Sequence, residues 1–249
     1  MITLTAPVAA ATHAAFEYAA IALGMLLYRR LAARSGQPAV TAPGRFGVMV
    51  GLLIGAALGN KLVNLAEHPE LLARWAQGDW VLPGQSIVGG LLGGLIGIEL
   101  AKWITQQRAS TGDTMVLPLV LGMALGRVGC LLAGLHDDTY GLPTSLPWGI
   151  NFGDGLPRHP TQLYDIAAVL ALGALLHHHR QRLHTVPGLQ FKLYLAGYLA
   201  WRLAVDGLKP VPHAYAGGLS GIQWVCALAL ACYLPIVARH WRQLPPLRS

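Results

Sequence analysis

Long apolar stretches alternate with short polar stretches along this chain. Seven of the apolar stretches approach the roughly 20 residues that a helix needs to cross a bilayer. They run approximately over 13–32, 46–65, 86–104, 115–134, 161–178, 189–208 and 219–238. A helix satisfies every backbone polar group within such a segment. The pattern therefore predicts an all-α membrane protein with seven transmembrane helices and small external loops. Residues 1–249 form a single membrane domain in this interpretation, and the external loop 136–160 carries part of a site.

The basic residues predict the orientation of these helices. One set of loops holds Arg29, Arg30, Arg34, Arg45, Lys102, Arg108, Arg180, Arg182, Lys192, Arg239, Arg242 and Arg248. The opposite set holds only Arg74, Arg158 and Lys209. Because cytoplasmic loops are enriched in Lys and Arg, we expect the N-terminus outside and the C-terminus in the cytoplasm.

Composition excludes several classes of function. The chain is 54% hydrophobic and 12% charged, whereas soluble domains carry about 25% charged residues. The net charge of +7 is spread over short clusters between apolar runs. The sequence has no basic stripe with interleaved aromatic residues, so it does not indicate nucleic-acid binding. Cys130, Cys226 and Cys232 lie in apolar runs without a CxxC or a Cys/His cluster at metal spacing. The sequence therefore predicts neither a metal site nor a disulfide framework.

Charged residues inside the apolar runs indicate a polar site. A guanidinium at membrane depth costs roughly 3 kcal/mol and usually faces the protein interior or a polar cavity. Arg202 and Asp206 are four residues apart and share one helix face. They form either a structural ion pair or an anion site in which Asp206 orients Arg202 beside Arg127. Guanidinium groups bind phosphate through paired hydrogen bonds, so convergence of Arg127, Arg158 and Arg202 would create a phospholipid head-group site. Arg158 taken alone would more often be a solvated loop residue.

Two further patterns leave alternatives open. The run SIVGGLLGGLIG places Gly89 and Gly90 at small-xxx-small spacing, which favours close helix packing or a backbone that lies near a lipid head group. His13 and Glu17 share a helix face at i,i+4. They are either a structural pair or a base with its orienting carboxylate.

Three motifs carry a resemblance to a known family. GRVGC at 126–130, YGLPTSLPW at 140–148 and PRHPTQLYD at 157–165 resemble the prolipoprotein diacylglyceryl transferase family. YLAGYLAWRLAVDGLKP at 194–210 and GQSIVGGLLGGLIG at 84–97 are similar to that family's sixth and third spans. The resemblance covers nearly the whole chain, and the combination of GRxG, LPW and RHPxQLY is highly specific.

The resemblance implies a multi-pass enzyme of the bacterial cytoplasmic (inner) membrane. Such an enzyme transfers the diacylglyceryl group of phosphatidylglycerol to the cysteine thiol of a lipobox-containing preprotein and releases glycerol phosphate, without a metal or cofactor. Carried onto this chain, the expected catalytic residues are Arg127, Arg202, Asp206, Asp138 and His159. The expected substrate-binding residues are Arg158, Gly129, Gly89, Gly90, Tyr140, Gln162 and Tyr164.

Three positions depart from the family pattern. Val88 stands where the family has a histidine, Cys130 where it has an asparagine, and Leu135 where it has an acid. The acid is lost unless the two- or three-residue insertion in LHDDTYG lets Asp138 replace it. The candidate replacement bases are His13, His136, Asp138 and His159. The departures leave the anion-holding groups in place. A different acceptor, or a non-catalytic phospholipid-binding homologue, is therefore the alternative to a prolipoprotein acceptor, and a transporter is the weakest alternative.

Overall fold

The computed structural model describes residues 4–35, 43–107 and 110–245, and they are predominantly helical. Of the predicted cytoplasmic cations, Arg108 and Arg248 lie outside the described residues. The helices are α1 (Ala6–Arg34), α2 (Pro43–Glu67), α3 (Glu70–Ala76), α4 (Ile87–Ile104), α5 (Val116–Ala133), α6 (Thr161–His178), α7 (Arg180–Leu183), α8 (Leu189–Val205) and α9 (Gly221–Trp241). Short 3-10 turns occupy Asp113–Met115, Gly134–Asp137, Asp206–Leu208 and Ala216–Gly218.

A small antiparallel hairpin interrupts the helical pattern between α5 and α6. Strands β1 (Ile150–Asn151) and β2 (Pro157–Arg158) pair Ile150 with Arg158 and Asn151 with Pro157. Asn151 shapes the turn, since its Oδ1 accepts from the backbone nitrogens of Gly153 (2.8 Å) and Gly155 (3.2 Å). This hairpin gives the predicted external loop 136–160 a defined structure.

The chain divides into two compact units. The first comprises the described residues of Met1–Ser35, Thr111–Pro210 and Tyr233–Ser249, and the second those of Gly36–Ser110 and Val211–Cys232. In the first unit α1 packs along α5, α5 packs against α6, and α6 packs against α8. In the second unit α2 packs along α4. That the two units form a single membrane domain stays a prediction.

Five stretches are long and apolar enough to cross a membrane: Ala6–Arg34, Arg45–Glu67, Ile87–Thr105, Asp113–Asp137 and Gly221–Trp241. Their surfaces carry large exposed apolar side chains; Leu53, Leu58 and Leu62 of α2 are 63%, 59% and 64% exposed. An apolar surface over a polar interior is the pattern of a multi-pass membrane protein. Helices α6 and α8, which the sequence also predicts as spans, are not among these five stretches; α8 has only 17 residues. Their crossing of the membrane therefore stays a prediction.

Glycine backbones make the contact between α2 and α4. A Cβ placed on Gly89 would lie 2.2 Å from the carbonyl oxygen of Gly59, and one on Gly93 would lie 2.2 Å from that of Gly55. A Cβ on Gly90 would meet nothing closer than 4.0 Å. The sequence left two interpretations of this motif, close helix packing or a backbone near a lipid head group. Helix packing accounts for Gly89, whereas Gly90 lies outside the close contact with α2.

Alanine substitutions at these adjacent glycines are expected to separate the two readings. Gly89→Ala forces α2 and α4 apart because the new methyl group meets backbone, and overpacking of this kind costs about 1–3 kcal/mol. Gly90→Ala is the matched control and should unfold at the wild-type temperature, or slightly above it. Thermal unfolding of both variants in the same detergent is the measurement. Equal melting temperatures would contradict the assigned packing.

Candidate active site: a buried cluster of charges

Five charged side chains from three helical segments meet inside the first unit. Arg127 lies on α5, Asp165 lies in the second turn of α6, and Arg202 lies near the end of α8. Asp206 begins the 3-10 turn that continues α8, and Lys209 follows that turn directly. Their exposed fractions are 6%, 1%, 5%, 5% and 8% in that order. Burial of so many charges is costly unless they are paired, so their mutual geometry determines what the cluster does.

Asp165 is the shared partner of the three cations. Its Oδ2 lies 2.9 Å from Nε of Arg127, 3.4 Å from Nη1 of Arg202 and 3.5 Å from Nζ of Lys209. Its Oδ1 accepts a 2.8 Å hydrogen bond from the indole nitrogen of Trp201. Both carboxylate oxygens are therefore engaged, and Asp165 holds the cations in one place.

Arg202 and Asp206 form the pair that their spacing predicts. Nη2 of Arg202 lies 2.6 Å from Oδ1 of Asp206, which confirms the predicted contact. The Arg202 side chain thus bridges two carboxylates. Its Nε is buried and has no hydrogen-bond partner among the residues that the structure describes, so one donor of this guanidinium remains available to an oxygen of a bound anion.

The cluster carries an excess of positive charge. Within the described part of the chain, Arg127, Arg202 and Lys209 form ion pairs with Asp165 and Asp206, so three cations meet two carboxylates. Burial, together with the charges of Arg202 and Arg127, lowers the pKa of Lys209 to about 7. A bound monoanion would balance the cluster and restore the charge on Lys209. The arrangement therefore has the electrostatics of an anion site.

Arg158 lies in the hairpin and makes its contacts there. Its Nη2 and Nε lie 2.6 Å and 2.7 Å from Oδ2 of Asp154, and its guanidinium carbon lies 5.0 Å from the centre of the Tyr140 ring. These hydrogen bonds from Arg158 lower the pKa of the exposed Asp154 carboxyl below its usual range. The structure thus pairs the expected substrate-binding residues Arg158 and Tyr140 with each other. The carboxylate between Arg127 and Arg202 belongs to Asp165, and a role for Arg158 at the head group stays a prediction.

His159 and Tyr164 belong to a hydrogen-bonded ring cluster. Nδ1 of His159 shares a 3.3 Å hydrogen bond with the Tyr164 hydroxyl, which also accepts a 2.8 Å bond from the indole of Trp148. The His159 backbone bonds to Leu142 and Gly141. These contacts fix the loop at the start of α6. Loop fixing of this kind explains His159 without a catalytic role.

Thr139 ties the start of α6 to the end of α5. The carbonyl of Thr139 accepts a 2.6 Å hydrogen bond from the Thr161 hydroxyl. The hydroxyl of Thr139 accepts a hydrogen bond from Nε2 of Gln162 (3.4 Å) and donates one to Oδ2 of Asp137 (2.6 Å). Gln162 is fully buried. The expected substrate-binding residue Gln162 therefore orders the loop beside Asp165.

Gly129 serves helix packing in the first unit. A Cβ there would lie 2.7 Å from Cβ of Phe16 on α1. Since a side chain at this position would push α1 away from α5, Gly129 sets the closeness of these two helices. Its predicted role in substrate binding is not needed to explain it.

The structure places Asp137, and not its neighbour Asp138, against the interior. Asp138 is exposed and has a positive φ of 52° at the end of the 3-10 turn Gly134–Asp137. Oδ1 of Asp137 lies 2.5 Å from Nδ1 of His13, and Nε2 of His13 lies 3.9 Å from Oε2 of Glu17. The predicted pairing of His13 with Glu17 is confirmed, and Asp137 extends it. His136 is exposed and bonds to the carbonyl of Leu4 at 3.2 Å.

Three residues of this interior were not predicted as site residues. Asp165 and Lys209 bind into the charge cluster, and Asp137 meets His13. The available signal for Asp165 was an acid four residues inside an apolar run, directly after the RHPTQLY motif. For Lys209 it was a third cation at the end of the helix that carries Arg202 and Asp206.

The fold and this site define a class of protein: a multi-pass helical membrane protein with a buried, net-positive polar site. The family model for prolipoprotein diacylglyceryl transferase matches residues 1–239, and the chain belongs to this family.

Several relatives named phosphatidylglycerol–prolipoprotein diacylglyceryl transferase are similar to the chain. The one from Aromatoleum aromaticum is 32% identical over 78% of this chain and 74% of the relative. The one from Azoarcus sp. is 34% identical over 73% and 70%, and the one from Bordetella bronchiseptica is 32% identical over 72% and 68%.

Proposed function

We propose that this protein is a phosphatidylglycerol–prolipoprotein diacylglyceryl transferase. It transfers the diacylglyceryl group to the cysteine thiol of a lipobox-containing preprotein and releases glycerol phosphate. The observation that carries the proposal is the buried cluster in which Arg127, Arg202 and Lys209 outnumber Asp165 and Asp206. Family membership and the names of the relatives support the same activity.

The reaction needs the charge that this cluster supplies. The acceptor sulfur attacks the glyceryl carbon that bears the phosphate, the carbon–oxygen bond breaks, and its electron pair leaves with glycerol phosphate. Cations aimed at the phosphate oxygens stabilise this charge as it develops. Arg127 and Arg202 are the groups for that task because guanidinium matches phosphate geometry. Asp165 and Asp206 act as positioning residues, since they hold the two guanidinium groups.

The proposal includes a seven-span topology in the bacterial inner membrane, with the N-terminus outside and the C-terminus in the cytoplasm. In this topology α6 and α8 join the five apolar stretches as spans. Their polar residues point inward to the charge cluster, which is how intramembrane charges are usually accommodated. The distribution of Lys and Arg between the loops supports the orientation.

Mass spectrometry tests the activity directly. Purified protein is incubated with phosphatidylglycerol and a lipobox cysteine peptide, and both the peptide mass and released glycerol phosphate are followed. We expect the peptide to gain one diacylglyceryl group, with one glycerol phosphate released per modified peptide. Bound phosphatidylglycerol with neither product would refute the proposed reaction.

A different acceptor for the same lipid donor is the second candidate. Val88 favours it, because this residue stands where the family has a histidine, and valine, which is only 1% exposed here, carries no base. Release of glycerol phosphate without modification of the peptide, in the presence of membrane extract, would support this alternative.

The lowered pKa of Lys209 predicts a pH dependence of lipid binding. A phosphate beside Lys209 favours its charged form, so the pKa of about 7 in the lipid-free protein rises in the complex. Affinity for phosphatidylglycerol should therefore be complete below about pH 7. It should fall above that pH, at most about tenfold per pH unit, since one proton is involved.

Lys209→Arg provides the matched control for this pH dependence. Arginine keeps its charge throughout the accessible range, so the variant should bind phosphatidylglycerol equally well at pH 7 and pH 9. The measurement is lipid affinity in detergent between these two pH values. The same loss of affinity in both proteins would show that another group is responsible.

A further inference from the structure

Three residues with metal-ligating atoms meet at the end of α5. His13 comes from α1, Cys130 from α5 and Asp137 from the 3-10 turn Gly134–Asp137. One ligand atom of each lies within 4.8 Å of the ligand atoms of the other two. His13 lies far from Cys130 and Asp137 in sequence, which is why no local spacing of Cys and His reveals the group.

The imidazole of His13 is not committed to a hydrogen bond at this point. Its Nδ1 is buried and has no hydrogen-bond partner within the described part of the chain, although Oδ1 of Asp137 lies 2.5 Å away. A nitrogen and a carboxylate oxygen therefore converge without a hydrogen bond of normal geometry. The thiol of Cys130 is the third member and is also buried.

Each of the three residues also has a polar neighbour of the kind that supports metal ligands. Glu17 lies 3.9 Å from the far nitrogen of His13, and the Thr139 hydroxyl donates to Oδ2 of Asp137 at 2.6 Å. Nη1 of Arg127 approaches the sulfur of Cys130 at 3.8 Å. A carboxylate behind a ligating histidine, and hydrogen bonds to the other ligands, are typical outer-shell arrangements of metal sites.

We propose that His13, Cys130 and Asp137 bind one zinc-like divalent cation and leave a fourth coordination position open. Mixed nitrogen, sulfur and oxygen ligands suit Zn²⁺, and three protein ligands with one open position are typical of catalytic zinc sites. A thiolate and a carboxylate together balance the two charges of the ion. The bound site is therefore neutral, which favours it beside the buried thiol of Cys130.

The open position suits the thiol of the acceptor cysteine; this role rests on the proposed function. A thiol that binds zinc is deprotonated, and its proton passes to solvent water. The bound sulfur then attacks the glyceryl carbon, the carbon–oxygen bond breaks, and glycerol phosphate leaves with the electron pair. Cys130 and Arg127 are three residues apart on one helix, so the metal lies beside a cation that holds the phosphate. The metal supplies the thiol activation that Val88 cannot provide.

Titration of the purified, metal-free protein with Co²⁺ tests the site. Co²⁺ occupies zinc sites, and a cobalt–thiolate bond gives a charge-transfer absorption in the near ultraviolet. We expect one equivalent to bind with this absorption. Cys130→Ser should abolish the absorption, and His13→Ala and Asp137→Asn should each weaken Zn²⁺ binding by at least the about 10–100-fold typical for loss of an outer-shell partner. Cys232→Ser, which removes an exposed cysteine, is the matched control and should bind normally.

The wild-type protein alone can overturn the proposal, so it does not depend on folding of the variants. If wild-type protein binds no Co²⁺, or binds it without the thiolate absorption, the metal site is refuted. If metal-free protein transfers diacylglyceryl to the peptide at the full rate, the role in thiol activation is refuted while the proposed function stands. If Co²⁺ binds through Cys130 and no lipid-dependent transfer occurs, the metal site stands and the proposed function fails.

A lipobox peptide distinguishes the open position directly. Its addition to the Co²⁺-loaded protein should increase the charge-transfer absorption, because a second sulfur joins the metal. A peptide with serine in place of the lipobox cysteine should leave the spectrum unchanged. An identical response to both peptides would refute coordination of the acceptor thiol.

Discussion

Arg127→Ala is expected to lower the rate of diacylglyceryl transfer by about 10²–10³-fold, the usual loss when one preorganised charge-stabilising donor is removed. Arg127 lies 2.9 Å from Asp165 inside the cluster and supplies part of its positive excess. Without it, Arg202 and Lys209 face Asp165 and Asp206, so two cations meet two carboxylates. The cluster then balances without a phosphate, and the variant should fold while it loses affinity for the head group.

Two further variants make the Arg127 prediction specific. Arg127→Lys keeps the charge but loses the forked geometry of guanidinium, so it should recover lipid binding more fully than transfer. Arg74→Ala removes an exposed arginine that pairs with Asp79 and should leave transfer unchanged. The measurements are initial transfer rates and phosphatidylglycerol affinity. A wild-type rate for Arg127→Ala would refute the anion site.

Local spacing predicted the parts of the site that lie on one helix. The pairing of Arg202 with Asp206 follows from their separation by four residues, and the structure confirms it at 2.6 Å. Local spacing could not predict that Asp165 contacts all three cations, since Asp165 lies 37 residues before Arg202. Their contact depends on how α5, α6 and α8 pack, which no single segment encodes.

The glycine motif shows the same limit at finer scale. Its sequence predicts close contact but does not state the partner helix, so Gly89 and Gly90 remained equivalent. Packing of α4 on α2 distinguishes the two glycines. A methyl group on Gly89 would lie 2.2 Å from a backbone oxygen, whereas one on Gly90 would meet nothing closer than 4.0 Å. Which face of a uniformly apolar helix is buried is decided by the partner, and hydrophobic periodicity carries little of this information in a membrane protein.

Turn geometry decided which of two adjacent acids points inward. The sequence suggested Asp138, but the 3-10 turn Gly134–Asp137 ends just before it and leaves it at a positive φ. Asp137 instead meets His13 from α1. Adjacent residues at the end of a short 3-10 turn point in different directions, and insertion lengths alone could not determine which acid faces inward.

The membrane pattern was also predicted in part. Five stretches of the described residues are long and apolar enough for spans, whereas α6 and α8 are not among them. Arg127 lies within one of the five, Asp113–Asp137, so a charge of the site does not by itself remove the hydrophobic signal of a span. Family membership, by contrast, followed from short motifs and is confirmed over residues 1–239.

Asp165→Asn is expected to destabilise the lipid-free protein by about 3–5 kcal/mol, the cost of breaking a buried ion pair by removal of one partner. The substitution keeps the shape of the side chain but leaves Arg127, Arg202 and Lys209 with Asp206 as their remaining carboxylate in the cluster. The buried excess of positive charge then rises from one to two. Thermal unfolding in detergent should show a much lower melting temperature than that of the wild type.

Phosphatidylglycerol should restore part of the stability that Asp165→Asn loses. A ligand that binds only the folded state stabilises it in proportion to the logarithm of its concentration over its dissociation constant. The extra buried charge increases the affinity for an anionic lipid, so the melting temperature of the variant should rise more on lipid addition than that of the wild type. Asp154→Asn removes the carboxylate of a solvent-exposed ion pair with Arg158 and is the matched control; its melting temperature should stay close to that of the wild type, because exposed ion pairs contribute little to stability. If Asp165→Asn and Asp154→Asn unfold at the same temperature, with and without lipid, Asp165 is not the carboxylate on which the buried cations depend.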